Sequence, residues 1–251
     1  MRQAGARLNF ILRAVAKAAT SGTMTKDLDR LALKLIKEGG DGPAFLNYRP
    51  AGAKSAFPAS LCVSVNDEVV HGIPGERILN EGDIVGLDLG LKRQNLFVDA
   101  AVTVAVGKID QKAKKLIEIT RKALEIGIHE ARAGGTIGDI GYAIESFVRP
   151  YRYGIVRELA GHGVGYAVHE EPYVPNYGSK GSGPTLKAGM VLAIEPMLNE
   201  GGERIKLAKD KFTYKTKDGT RSAHFEHTIL ITARGAEILT QGLTSEKRGV
   251  V

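Results

Sequence analysis

The run Asp83-Ile84-Val85-Gly86-Leu87-Asp88-Leu89-Gly90-Leu91-Lys92-Arg93-Gln94-Asn95-Leu96-Phe97-Val98-Asp99-Ala100-Ala101-Val102-Thr103-Val104-Ala105-Val106 decides how this chain folds. Two apolar runs with β-branched residues flank the polar Lys92-Arg93-Gln94-Asn95, a pattern that predicts a β-hairpin. Upstream, Leu8, Ile11, Leu12, Val15 and Ala19 recur at helical spacing and predict a helix over 3–19. Gly22-Thr23-Met24-Thr25 breaks it, and Thr25 is expected to cap a second helix through about Glu38, which Gly39-Gly40 ends. Residues 41–59 read as a loop, with Pro43, Pro50, Gly52 and Pro58, and strand character follows at 61–65 and 68–71. Beyond the hairpin, helices are expected over 110–132 and from Thr136 to 149, then strands near 189–199, 203–207, 211–216 and 223–232. Helices, strands, helices, strands, without regular βαβ alternation, make an α+β protein with helices gathered on one side of a mainly antiparallel sheet. Each half runs helix, helix, strands. No linker divides the chain, so a single domain over 1–251 is expected.

With 43% hydrophobic and 25% charged residues, the composition is that of an ordinary soluble globular protein. The lone cysteine, Cys62, excludes a disulfide framework and favours a reducing, cytoplasmic setting. No apolar run approaches the roughly 20 residues that span a bilayer. The first 26 residues hold basic side chains and no acid, which superficially suits a transit peptide, but an amphipathic first helix is the simpler reading. The net charge of +7 is spread over the chain, as a solvated basic surface or one with weak affinity for RNA. With no tryptophan and no basic run interleaved with aromatics, a dedicated nucleic-acid module is not expected. Neither a Gly-x-Ser-x-Gly elbow nor a phosphate-binding Gly-x-x-x-x-Gly-Lys-Ser/Thr loop occurs.

Four acids stand in apolar strand-like runs: Asp88 and Asp99 in the hairpin, Glu195 in Val191-Leu192-Ala193-Ile194-Glu195-Pro196-Met197, and Glu226 ahead of His227-Thr228-Ile229-Leu230. Taken singly, each suits an edge or outward position. A buried ionised carboxylate costs several kcal/mol unless paired or metal-bound, so four brought together need positive charge among them. A fifth residue, His162, stands in Gly161-His162-Gly163-Val164-Gly165, where alternate glycines permit close backbone approach. Read alone, that stretch also suits a glycine-rich surface loop. Four carboxylates and one imidazole make a mostly hard-oxygen donor set suited to Mn, Fe, Co or Zn, and bridging carboxylates would suit two ions about 3.5–4 Å apart.

Asp88, Asp99, His162, Glu195 and Glu226 at these spacings, with Gly161-His162-Gly163, Ile194-Glu195-Pro196-Met197 and Phe225-Glu226-His227-Thr228, resemble the pita-bread metallopeptidases, and among them the type I methionine aminopeptidases. Asn66-Asp67-Glu68-Val69-Val70-His71-Gly72-Ile73-Pro74 and Phe57-Pro58 extend the resemblance, which covers about residues 2–240. It implies a pita-bread fold: two pseudo-twofold halves, with a curved antiparallel sheet backed by helices. It also implies two divalent metal ions. Asp88 would bind one, Asp99 and Glu226 would bridge both, and His162 and Glu195 would complete the other, Glu195 also handling the proton of the bridging water. His169 would steady the oxyanion, and His71 would line the substrate subsite. Phe57, Cys62, Val168 and Phe212 would form the methionine pocket. The implied activity is removal of the initiator methionine from the N-termini of nascent chains, by a monomer working close to the ribosome and away from any membrane.

The chain departs from the family pattern in three places. Phe97-Val98-Asp99-Ala100 replaces the usual His-Gly-Asp-Thr, Val168 replaces an aromatic beside His169, and Asp88-Leu89-Gly90 is similar to the proline-specific branch. An X-Pro-type or broader aminopeptidase is the alternative enzyme. A non-catalytic relative that binds protein or RNA is the alternative outside catalysis, though such proteins typically lose ligands that are all present here.

Overall fold

The computed structural model describes residues 1–49 and 54–241, so Pro50 and Gly52 of the expected loop lie outside the described residues. In chain order, α1 (Arg2–Ala18) and α2 (Thr25–Glu38) precede β1 (Gly42–Pro43), β2 (Leu61–Val65), β3 (Glu68–Val70), β4 (Ile84–Arg93) and β5 (Leu96–Ala105). Then come α3 (Gln111–Glu130), α4 (Ile137–Val148) and a 3-10 turn at Arg149–Tyr151. The remaining strands are β6 (Gly154–Ile155), β7 (Gly161–Gly163), β8 (Glu170–Val174), β9 (Val191–Ile194), β10 (Met197–Asn199), β11 (Ile205–Leu207), β12 (Tyr214–Thr216), β13 (Ser222–His224), β14 (His227–Thr232) and β15 (Gly235–Ile238).

All four α-helices among the described residues fall where apolar periodicity puts them. α1 buries Ala4, Leu8, Ile11, Leu12 and Val15 on one face, and α2 buries Leu28, Ala32 and Ile36. Thr25 does not cap α2. Met24 is the capping residue, and the Thr25 hydroxyl instead bridges to the chain at Gly75, donating to its O at 3.1 Å and accepting from its N–H at 2.9 Å. Caps do form on the other pair. Asp110 accepts from Ala113 N–H at 2.8 Å, and Thr136 and Asp139 make a reciprocal capping box at α4.

Every pairing among the described strands is antiparallel. β4 has β5 on one side and β2 with β1 on the other, and a five-stranded sheet runs β15-β14-β9-β7-β8. The smaller sheets are β13-β10-β6 and β11-β12-β3. α1 packs on β4 and β5, while α3 packs on α4 and on β9, β10, β13 and β15. One apolar cluster joins Leu8 and Leu12 of α1, Leu87 and Leu89 of β4, Leu116 and Leu124 of α3, and Leu192 and Ile194 of β9. No helix among the described residues is long and apolar enough to cross a membrane.

The expected four-residue turn of the hairpin is tighter. Gln94 and Asn95 form a two-residue turn with φ of 49° and 62°, left-handed at both positions, which matches the twist of the flanking strands. The expected strands at 189–199 and 223–232 each break in two. Glu195-Pro196 separates β9 from β10, and Phe225-Glu226 separates β13 from β14. β9 and β14 pair in the five-stranded sheet while β10 and β13 pair in a different one, so both chains turn a corner here. Pro196, which has no N–H for a ladder, suits such a corner. Strands β1, β6, β7, β8 and β15 were not expected from the sequence, and each is five residues or shorter.

Candidate metal centre

Strand register brings the acids together. In the hairpin Asp88 faces Ala101, and Asp99 stands two residues from Ala101 on the same strand. Side chains alternate along a strand, so both aspartates project from one face as diagonal neighbours. Leu87 and Leu89, flanking Asp88, point the other way into the main core. Across β2, Asp88 faces Cys62. On the far side of β5, Glu226 N–H donates to Ala101 O at 3.0 Å and Ala101 N–H to Glu226 O at 3.4 Å, which places Glu226 opposite Ala101. Cys62, Asp88, Ala101 and Glu226 therefore form one continuous row. Thr228 ties the same two segments, accepting from Asp99 N–H at 3.0 Å.

The other half adds Glu195 and His162. His227 of β14 faces Ile194 of β9 at the end of their ladder, so Glu226 and Glu195 come next to each other just beyond it, where both chains turn the corner. Asn176 Nδ2 donates to Glu195 O at 3.1 Å and holds that corner. On β7, His162 faces Ala193, two residues from Glu195. Gly161 and Gly163 are there for steric reasons. A Cβ on either would lie 2.2 Å from a backbone oxygen, of Ala193 or of Glu171. Gly90 makes room of the same kind, since a Cβ there would come within 2.6 Å of the Phe45 ring. The Asp-x-Gly feature is thus explained by packing against a cavity-lining aromatic.

The result is a buried cluster. His162 Nε2 lies 3.6 Å from Asp99 Oδ2 and 3.5 Å from Glu195 Oε1. One donor atom each from Asp99, His162 and Glu226 falls within 4.8 Å of the other two. His162 Nδ1–H donates to Gly163 O at 2.9 Å, leaving Nε2 with its lone pair aimed at the carboxylates when the ring is neutral. Asp88 Oδ1 is buried without a hydrogen-bond partner. Burial, reinforced by the neighbouring Asp99 and Glu195, pushes Asp88 up to about 7. Burial likewise raises Glu195 to about 8, with Asp99 adding to it and His162 opposing. Glu226 is pushed well up by burial and by Asp99, Glu195 and Asp88. Asp99 is also raised by burial, against the pull of His162. The donor set, the orphaned oxygen and the uncompensated like charges fit a divalent cation.

These shifts give a stability prediction. Each acid titrates higher in the fold than in the unfolded chain, so the fold keeps protons that the unfolded chain has lost. Their contribution is full below the unfolded carboxylate range, about 4, and is lost as pH rises through about 7 to 8. A bound cation offsets that loss. The rise in melting temperature on adding Mn²⁺ is therefore expected to be larger at pH 8 than at pH 6 by calorimetry. Equal rises would contradict a cation among these acids.

Around the cluster lies a cavity of ≈ 90 Å³, walled on its apolar side by Phe45, Tyr48, Phe57, Cys62 and Phe212, with the Phe57 and Phe212 rings edge to face at 5.5 Å. Val168 is buried in the same apolar cluster as Phe57 and Cys62. A wider cleft of ≈ 510 Å³ adjoins the cavity and shares His71, His162, His169 and Glu195 with it. His71 has φ of 58°, an unusual left-handed backbone for a histidine, and sits just past β3. Burial, with His224 and His162 nearby, pulls His71 down to about 4, and burial with His162 and His71 pulls His169 down to about 3. Both rings are neutral near pH 7.

Three residues of the site escaped the sequence reading. Phe45 and Tyr48 come from the 41–59 stretch, where proline and glycine signalled only a loop. His224 is buried with Nε2 at 3.5 Å from Glu195 Oε2. It stood between Ala223 and Phe225, the same polar-in-apolar signal that singled out the acids.

The model of metallopeptidase family M24 matches residues 1–233. Methionine aminopeptidase 1 of Bacillus subtilis is 44% identical over 241 residues, covering 96% of this chain and 95% of the relative. The crystal structure of methionine aminopeptidase from Thermotoga maritima superposes with a TM-score of 0.91 at 43% identity, covering 96% of this chain and 95% of the other. The prolidase from Pyrococcus horikoshii superposes at 0.74 with 25% identity, covering 96% of this chain and 60% of the other.

Proposed function

The chain belongs to metallopeptidase family M24 and has its pita-bread fold, and we propose that it removes the N-terminal methionine from newly made polypeptides. It is a metal-dependent hydrolase of the exopeptidase class. The observation that carries the methionine reading is the small apolar pocket opening directly onto the carboxylate–imidazole cluster. A pocket of this size takes one unbranched side chain, and polarizable Cys62 and the aromatic rings suit a thioether. The rest of the peptide extends into the adjoining cleft.

Asp88, Asp99, His162, Glu195 and Glu226 would hold two divalent ions of the Mn, Fe, Co or Zn kind. When bound, the ions supply Lewis acidity that activates a water and polarises the scissile carbonyl. Glu195, ionised once a cation offsets its burial, would accept the proton of the attacking water and pass it to the departing amine. His169, neutral, donates a hydrogen bond to the developing oxyanion. His71, at the junction of cavity and cleft, positions the substrate. In this reading the enzyme is a cytoplasmic monomer, and the +7 surface keeps it near ribosomal RNA, where its substrates emerge.

Phe212 provides the test of the pocket. An apolar wall discriminates by about 1–3 kcal/mol per methylene. Phe212→Ala is expected to lower kcat/KM on Met-Ala-Ser roughly tenfold and to narrow the preference over Leu-Ala-Ser. An unchanged methionine-to-leucine ratio would place the side-chain pocket elsewhere.

A further inference from the structure

His169 is held by a partner that the catalytic reading does not use. Its Nδ1 lies 2.8 Å from the Tyr48 hydroxyl, with the two rings 5.2 Å apart. Tyr48 itself is fixed at both backbone groups. Its N–H donates to Phe45 O at 2.9 Å, and its O accepts from Phe57 N–H at 2.8 Å. The ring packs on the apolar cluster of Phe45, Phe57 and Cys62. The phenol thus reaches His169 from a braced turn.

A neutral imidazole carries one N–H, and the hydrogen bond made by one ring nitrogen decides which nitrogen bears it. Burial pushes the Tyr48 phenol up, so its proton stays on. We propose that Tyr48 is a positioning residue that donates its O–H to His169 Nδ1 and so fixes the Nε2–H tautomer of His169. Nε2, across the ring from Tyr48, then carries the N–H, on a ring that lines both the cavity and the cleft. With the other tautomer, Nε2 would present a lone pair to an oxyanion and repel it. This assignment rests on the reading of His169 as the oxyanion donor.

Tyr48→Phe removes the hydroxyl and keeps the ring. In the Zn²⁺-loaded enzyme, ¹⁵N NMR of the histidine side chains is expected to show a single Nε2–H tautomer for His169 in the wild type and a mixture in the variant. On Met-Ala-Ser, kcat should fall roughly tenfold, the worth of one hydrogen bond, with KM, zinc content and melting temperature little changed. His169→Ala serves as the reference. If it loses kcat while Tyr48→Phe keeps both the wild-type tautomer and the wild-type kcat, the positioning role is overturned and the catalytic reading stands. If His169→Ala is itself fully active, the catalytic reading falls and the positioning role with it.

Discussion

Glu226→Ala is expected to abolish peptidase activity and to release metal. The side chain is 3% exposed, and its backbone is paired with Ala101, a pairing that does not need the carboxylate. The variant should therefore fold. What it loses is the carboxylate that ends the row from Cys62 to Glu226 and on which Asp99, Glu195 and Asp88 all act. All three of those acids already have their own places in the cluster, so none is free to substitute. If Glu226 serves both of the proposed ions, its loss would loosen both. Elemental analysis should show at least one equivalent of metal lost. The metal-free variant should be no less stable than the metal-free wild type, because one of several repelling buried acids has gone. Full activity at wild-type metal content would show that the ligands lie elsewhere.

His169→Ala is expected to lower kcat by roughly 10–1000-fold, in the range of losing one oxyanion donor, while metal content stays at the wild-type level. The ring stacks edge to face on His162 at 4.4 Å, but its Nδ1 is engaged by Tyr48. KM should change little, since the interaction forms in the transition state. The pH dependence adds a second arm. With His169 pulled down to about 3, the ring is neutral from pH 5 to pH 9, so the acid limb of kcat/KM should keep its position in the variant. A variant that loses metal, or whose acid limb moves, would make His169 a ligand or a proton carrier.

The helices were legible because their apolar residues recur every three to four places, and α2 ends where Gly39-Gly40 says it should. The five chemical residues were legible because polar side chains in apolar strands are expensive. Their mutual geometry was not. With the expected turn, Leu91 would face Leu96 and Asp88 would face Asp99 directly. The left-handed pair Gln94-Asn95 lets the strands run on and sets Asp88 opposite Ala101, turning a head-on pair of acids into a diagonal one. Glu195 and Glu226 were read as members of continuous strands, yet both stand at corners, because no local pattern tells which sheet the next residues will join. Phe45 and Tyr48 were hidden for a related reason. A turn-rich segment shows its breaks, but where it folds back depends on the rest of the molecule. For Asp88-Leu89-Gly90, the sequence showed the glycine but not the Phe45 ring that it makes room for.

The most direct test is the release of free amino acids from Met-Ala-Ser and from an X-Pro-X peptide by the purified chain, chelated and then reloaded with Co²⁺ or Mn²⁺. Methionine should appear from Met-Ala-Ser only after reloading, with little cleavage of the X-Pro peptide. Rapid cleavage of the X-Pro peptide with Met-Ala-Ser left intact would contradict the methionine reading and assign the chain to proline-specific chemistry.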